Sequence, residues 1–264
     1  MIKKYFLITI LSICLISIFG FSQKVLAKSY EYENFEVDIK INKDSTFDVS
    51  EKQTFDFRGD FTYAYRSIEL RKLDRITDLK VLDEKGNALP ESSISRYREG
   101  NKEVIKWYYT AHDEKKTWIV KYKVHGGIGY FNTWDELYWN AVPNEREVYI
   151  EKVKVTVHLP QKCDVSKLKS EVYTENPNLT YPVHKILDGK TFQFTGHSLE
   201  PNTNFTIVAG WPSGIVYNPG ILKIKSDPDK AKVFLDNVFQ VDTKKDEFVV
   251  LKRDTLGLET GEHK

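Results

Sequence analysis

The sequence has few cysteines, the residues that could cross-link a fold through disulfide bonds. Only two of its 264 residues are cysteine, Cys14 and Cys163. Cys14 lies in an N-terminal apolar segment that we predict to be either cleaved from the exported chain or kept as its membrane anchor. The exported part would then have Cys163 alone, which excludes an intramolecular disulfide. Stability must come from a hydrophobic core.

The sequence also lacks an excess of charge. It has 39 basic and 38 acidic residues, and removing Lys3, Lys4 and Lys24 with the N-terminal segment leaves 36 basic against 38 acidic, a net charge of −2. Domains that bind nucleic acid are usually basic. We therefore expect no nucleic-acid partner.

Common catalytic and metal-binding patterns are missing as well. None of the six histidines lies three or four residues from another, and no glycine-rich phosphate loop or nucleophile elbow is present. Asn42, Asp44 and Asp48 lack the spacing of a calcium loop and are better explained by a hairpin turn. We expect no metal site and no cofactor, and we interpret the protein as non-enzymatic.

The N-terminus has the layout of an export signal. Lys3 and Lys4 precede an uncharged apolar run, Tyr5–Phe21, and a short polar exit ends at Ala27. This order predicts a secretory signal peptide over residues 1–27 with cleavage after Ala27. The run is also at the short edge of what a spanning helix needs, so an uncleaved anchor is the alternative. Either form predicts an exported protein of the cell envelope.

Most of the remaining chain alternates apolar and polar residues with a period of two. Phe35, Val37, Ile39 and Ile41 alternate with charged residues, and after the turn at 42–45 the alternation resumes at Phe47. This pattern predicts a hairpin with one buried face. We predict a second hairpin from Val104–Tyr109 and Trp118–Val124. The fold class is therefore all-β, an antiparallel β-sandwich over residues 28–216.

A turn-rich stretch around 211–220 marks a boundary before a second, smaller β unit. Three short strands are expected there, at Leu222–Ile224, Val233–Leu235 and Phe248–Leu251. A unit of residues 221–264 is small for an independent core, and we expect it to be incomplete.

Residues from about 30 to 215 resemble the extracytoplasmic domain of bacterial predicted membrane proteins that contain domain of unknown function 2207 (DUF2207). Its most specific stretch is Asp135–Asn140, the sequence Asp-Glu-Leu-Tyr-Trp-Asn. The other matching stretches, in order, are Phe35–Phe57, Phe57–Phe61, Tyr65–Ile68, Tyr122–Gly127 and Val153–Pro160. The resemblance implies an extracytoplasmic domain near a membrane but no known reaction. The membrane helices that usually follow this domain are not in the sequence.

The tail is similar to a PEGA domain, a small β module of surface proteins. Its first half carries matching residues at Ser226–Pro228, Ala231, Val233 and Asp236, and its second half at Leu258, Gly261 and His263. Lys230 and Asn237 stand where that family usually has glycine. The resemblance implies a spacer or surface-binding module.

The candidate site is the acidic and aromatic stretch at 134–140. Its predicted binding residues are Arg66, Trp134, Asp135, Glu136, Tyr138, Trp139 and Asn140. One interpretation is structural, with Asp135 or Glu136 paired to Arg66 or Arg58 while Tyr138 and Trp139 pack. A groove for glycan or peptide is another. A glycosidase needs two carboxylates that face each other, whereas neighbours on a strand point to opposite faces.

These features favour a non-enzymatic envelope protein whose sandwich is an interaction domain. Its partner would be an envelope component or another surface protein. Membrane contact would come through the N-terminal segment or through segments beyond Lys264. The alternative is an envelope enzyme that acts on cell-wall glycan or peptide through residues 135–140.

Overall fold

In the computed structural model the described residues are 27–142, 144–175 and 183–217, followed by four short strands up to residue 252. The predicted signal segment, residues 1–27, therefore lies outside the described residues, apart from Ala27. The strands in chain order are β1 (Ser29–Ile41), β2 (Phe47–Arg58), β3 (Asp60–Glu69), β4 (Arg75–Asp83), β5 (Ile94–Glu99), β6 (Lys102–His112), β7 (Lys115–His125), β8 (Ile128–Tyr130), β9 (Trp134–Val142), β10 (Ile150–His158), β11 (Lys169–Tyr173), β12 (Val183–Ile186), β13 (Thr191–Leu199), β14 (Phe205–Pro212), β15 (Ile221–Ile224), β16 (Lys232–Leu235), β17 (Val238–Asp242) and β18 (Val249–Lys252). Two single-turn 3-10 helices cover Glu91–Ser93 and Val165–Lys167.

Three sheets form the main body. A seven-stranded sheet has the order β12-β13-β10-β1-β2-β7-β4, a four-stranded sheet the order β11-β14-β9-β8, and a three-stranded sheet the order β3-β6-β5. Most of the buried hydrophobic side chains of all three sheets belong to one hydrophobic core. The predicted all-β, sandwich-like fold class is confirmed.

The first hairpin forms as the alternation predicts. Phe35, Val37, Ile39 and Ile41 are at most 3% exposed, while the charged residues between them face solvent. At the turn, an Asp44 carboxylate oxygen accepts hydrogen bonds from the backbone N–H and the hydroxyl of Thr46. The carboxylate of Asp44 is thus used to close the hairpin.

The inner face of β2 carries both smaller sheets. Phe47, at the start of β2, packs edge-on against Trp139 of the four-stranded sheet at 5.2 Å between ring centroids. Phe57, near its end, packs against Phe61 and Tyr109 of the three-stranded sheet. Because side chains two residues apart share a face of a strand, these contacts lie on one side of β2. The two smaller sheets therefore form a common layer against the seven-stranded sheet.

The predicted second hairpin is wrong. β6 pairs with β3 and β5, whereas β7 pairs with β2 and β4. The loop between them is held against the end of β2. The backbone N–H of Gly59 donates to the Asp113 carboxylate, and that of Phe57 donates to the Glu114 carbonyl. The two strands face each other across the core, where the rings of Tyr109 and Trp118 are 4.2 Å apart.

One strand pair departs from the antiparallel expectation. β1 and β10 are parallel over eight residue pairs, from Tyr32 with Ile150 to Lys40 with His158. The other pairs among the described strands are antiparallel. A parallel pair needs a long crossover. Here the crossover consists of the strands between β1 and β10 along the chain.

The C-terminal unit contains two strand pairs, β15 with β18 and β16 with β17. The three expected strands lie within one or two residues of β15, β16 and β18, and β17 was not predicted. The domain boundaries at 216 and 221 and the PEGA resemblance remain predictions, and apart from Val233 the residues that carry the resemblance lie outside the described residues.

A buried ion pair joins the two layers. Arg66 of β3 donates from Nε and Nη2 to the two carboxylate oxygens of Glu51 on β2, at 2.7 and 2.8 Å. Tyr122 of β7 and Gln53 donate to the same carboxylate at 2.7 and 3.0 Å. Arg66 was expected to pair with Asp135 or Glu136, and this prediction is wrong. Arg58, the other predicted partner, pairs with Asp56 at the surface.

The ion pair persists in the interior because each side chain is the counter-ion of the other. Burial alone would lower the pKa of Arg66, but the adjacent Glu51 carboxylate raises it overall. Burial raises the pKa of Tyr122 well above its usual value, and the negative charge of Glu51 adds to this. Arg66 therefore remains cationic and Tyr122 remains a donor.

We predict that Arg66→Met lowers the free energy of unfolding by about 3–5 kcal/mol, because it leaves Glu51 buried without its counter-ion. The double variant Glu51→Leu/Arg66→Met should recover most of that loss. Urea unfolding followed by tryptophan fluorescence measures both.

The control for this prediction is Arg58→Met, which removes an exposed ion pair and should change stability by at most about 1 kcal/mol. If Arg66→Met is no more destabilising than Arg58→Met, the buried pair does not hold the layers together.

Candidate functional site

Strand β9 carries the predicted site residues on two faces. Asp135, Leu137 and Trp139 are at most 7% exposed and face the core. Tyr138 is 58% exposed, and Trp134, Glu136 and Asn140 are on the same outer side. The expectation that Asp135 and Glu136 point to opposite faces is confirmed.

A groove lies on the outer face of the four-stranded sheet. We call it the outer groove, and its volume is about 610 Å³. One wall comes from β9, the other from the edge strand β11, and β14 lies between them. Its lining includes Trp134, Glu136, Tyr138, Lys169, Glu171, Tyr173 and Val208.

The groove forms because the middle strand, β14, carries short side chains on its outer face. Across the sheet, Glu136 pairs with Gly210, which pairs with Lys169, and Tyr138 pairs with Val208, which pairs with Glu171. Directly paired residues share a face. Small residues of β14 thus form the floor between two rows of long side chains.

Gly210 also gives Trp134 room to lie over the floor. A Cβ at this position would be 3.2 Å from the Trp134 ring, closer than side chains normally pack. The absence of a side chain lets the indole approach the backbone of β14.

Aromatic rings occupy both walls. The rings of Tyr138 and Tyr173 lie 6.3 Å apart with an interplanar angle of 29°. Nearer the other end, the ammonium group of Lys169 sits 3.9 Å from the centroid of the Trp134 ring. Such a distance permits a favourable cation–π interaction.

Asp135 has a structural position beneath the groove. One of its carboxylate oxygens accepts a hydrogen bond from the Ser213 hydroxyl at 3.3 Å. Burial raises the pKa of Asp135, although the Ser213 hydroxyl and the Gly214 backbone N–H oppose the shift. These contacts fasten β9 to the turn that follows β14.

The structure thus separates the seven predicted site residues. Trp134, Glu136 and Tyr138 line the outer groove, and Asn140 lies farther along the same face. Asp135, Trp139 and Arg66 face the interior. The wall on β11 was missed, although Lys169, Glu171 and Tyr173 alternate in the sequence with the spacing of a strand face.

Within the described residues, no group of three or more histidine, cysteine, aspartate or glutamate side chains could hold a metal ion. The part of the chain that the structure describes contains no helix that could span a bilayer.

The chain has weak similarity to solved structures. A provisionally assigned protease from Parabacteroides distasonis is 10% identical with a TM-score of 0.42, over 68% of this chain and 40% of that one. A zinc metallopeptidase of the M1 class from Deinococcus radiodurans is 12% identical with a TM-score of 0.38, over 76% and 44%. A provisionally assigned nutrient-binding protein from Legionella pneumophila is 8% identical with a TM-score of 0.43, over 68% and 66%.

The chain therefore spans less than half the length of the first two proteins. Similarities at these levels carry no argument about function. No curated protein sequence matches the chain significantly.

The sequence family gives a clear result. The family described as "Predicted membrane protein (DUF2207) N-terminal domain" matches residues 31–211, which include all strands of the three main sheets except the first two residues of β1 and the last of β14. The match covers more than half of the chain and agrees with the resemblance carried by residues 135–140. The chain belongs to the DUF2207 family of predicted membrane proteins.

Proposed function

We propose that this chain is a non-enzymatic binding domain of a membrane-associated protein, exposed on the outer side of the membrane, and that its outer groove binds an envelope glycan. The observation that carries the proposal is the groove itself, with exposed aromatic rings on both walls and a low floor. Ligand sites typically combine aromatic surface with a few polar groups that fix orientation.

The chemistry of the walls suits a sugar chain. The C–H faces of a pyranose ring can lie on exposed aromatic rings such as those of Tyr138 and Tyr173. Sugar hydroxyls can donate hydrogen bonds to the carboxylates of Glu136 and Glu171, which makes those bonds stronger than neutral ones. The groove is open rather than enclosed, so a ligand with several sugar units can lie in it.

An enzyme is less well supported by this geometry. A glycosidase needs a protonated carboxyl beside the scissile bond and a second carboxylate across it. The carboxyl in this region with a raised pKa is Asp135, and it faces the core. Glu136 and Glu171 face the groove from walls two strands apart, a spacing that fits contacts along a bound sugar chain.

The groove proposal predicts that Tyr138→Ser/Tyr173→Ser weakens glycan binding at least about tenfold, since loss of central aromatic contacts typically costs more than about 1–2 kcal/mol. Co-sedimentation with insoluble, peptide-free cell-wall glycan measures this. Tyr97→Ser is the control, because Tyr97 is a 44% exposed tyrosine of the three-stranded sheet.

Equal binding by the groove variant and the wild type would rule out the groove as the site. Retention only on material that still carries peptide would show that the ligand is a peptide. Release of soluble sugar that Glu136→Gln abolishes would favour the enzyme.

A pH test addresses the role of Asp135. Because its pKa in the folded protein is raised above 3.8, the ionised carboxylate costs stability at neutral pH, and this cost disappears as pH falls through the folded pKa. Asp135→Asn keeps an acceptor for Ser213 but cannot ionise. We predict that the variant unfolds at a higher temperature than the wild type at pH 7.

The difference in melting temperature should shrink as the pH approaches and passes below 3.8, the range in which Asp135 is protonated in both states. A variant that is less stable than the wild type at every pH would show that the negative charge of Asp135 is required by the fold.

A further inference from the structure

The two ends of the outer groove have related chemistry. At one end are the Trp134 ring, the Glu136 carboxylate and the Lys169 ammonium group, and the ammonium lies 3.9 Å from the ring centroid. At the other end are the Tyr138 and Tyr173 rings and the Glu171 carboxylate. Among the described residues, neither Glu136 nor Glu171 makes an ion pair within 4 Å. The two ends differ in the cation, since no lysine or arginine lies over either tyrosine ring.

The first end shows what the second can accommodate. Aromatic faces attract cations, and a carboxylate close by adds Coulombic attraction. In the Trp134 end the chain supplies this cation itself. Tyr138 and Tyr173 are more than half exposed, so their rings are accessible to a cation from outside.

The net charge of the groove also favours a cationic ligand. Its ionised lining residues are Glu136, Glu171 and Lys169, which gives a net charge of −1. A groove of this charge disfavours an anionic polymer and favours a cationic one. A neutral sugar would use the rings but would leave the charge of Glu171 unused.

We propose that the outer groove selects a glycan that carries free amino groups, with one ammonium group held by Glu171 against Tyr138 and Tyr173. The inference rests on the proposed glycan-binding function and names the class of glycan, one containing hexosamine units without N-acetyl groups. Neutral N-acetylated units would occupy the remainder of the groove through ring contacts.

The test compares two soluble ligands of equal length, a glucosamine tetramer and its fully N-acetylated form. The full chain, purified in detergent, is titrated with each by calorimetry at mildly acidic pH, where the sugar amines are protonated. The amine form should bind about tenfold more tightly. This preference should fall with added salt, and it should vanish at a pH where the sugar amines are deprotonated.

The variant Glu171→Gln distinguishes selection for amino groups from glycan binding itself. It should abolish the preference for the amine form while leaving the affinity for the N-acetylated tetramer close to that of the wild type. Glu99→Gln, an exposed glutamate on the three-stranded sheet, is the matched control and should keep the preference.

The variant Lys169→Met should strengthen binding of the amine form, whereas Glu171→Gln should weaken it. It removes the ammonium group from the Trp134 ring but keeps an apolar stem, so a second ammonium of the ligand can take that place. The amine form should then bind more tightly than to the wild type. Weaker binding of both tetramers would show instead that Lys169 contacts the ligand, and it would contradict the proposed arrangement.

The outcomes distinguish this inference from the proposed function. Equal binding of both tetramers, lost in Tyr138→Ser/Tyr173→Ser, would overturn the selection for amines but leave a glycan-binding groove. Binding of neither tetramer would overturn both. Binding of a lysine-containing peptide alone would show that the groove recognises an ammonium group on a protein.

Discussion

The contact that links β2, β3 and β7 in one buried polar network is the ion pair of Glu51 and Arg66. Both side chains leave water, a cost that their mutual attraction offsets only with good geometry and with partners for the remaining polar atoms. The bidentate contact supplies the geometry, and Tyr122 and Gln53 supply partners for the carboxylate. These groups come from β2, β3 and β7, so the pair forms only when β3 lies in the correct place on the seven-stranded sheet. Apolar contacts could hold the layers together, but they specify relative position less strictly.

Fixing β3 in this position determines how the inner face of β2 is divided. Phe57 and Glu51 are covered by the three-stranded sheet, and Phe47 is covered by the four-stranded sheet through Trp139. The four-stranded sheet buries the inner side chains of β9, and this turns Tyr138 and Glu136 outward. The outer groove is therefore a consequence of the same strand alternation that fills the core, combined with small residues on the outer side of β14.

Strand positions could be predicted from the sequence, because alternation is a local property. The faces of Asp135 and Glu136 followed from the same rule. The pairing of β6 and β7 could not be predicted, since two alternating strands joined by a short loop look alike whether they pair within one sheet or face each other across a core. The partner of Arg66 was missed for a related reason. Glu51 is in phase with Phe47, Val49 and Phe55, so the alternation places it on the buried face, but only the three-dimensional fold shows which cation reaches it from another sheet.

The ends of the main body add a spatial argument to the proposed function. At its start, Lys28 lies beside Gly59 and Phe61, at the end of the first hairpin opposite its turn. At its other end, the Tyr217 backbone N–H donates to the carbonyl of Lys43 in that turn, and the Tyr130 hydroxyl donates to the carbonyl of Tyr217. The 13 residues of β1 separate these ends by roughly 40 Å at about 3.3 Å per residue. The four-stranded sheet packs at the Phe47 end of β2, so the outer groove lies far from Lys28. A chain held at the membrane by its N-terminal segment would therefore present the groove away from the point of attachment, where an envelope glycan can reach it.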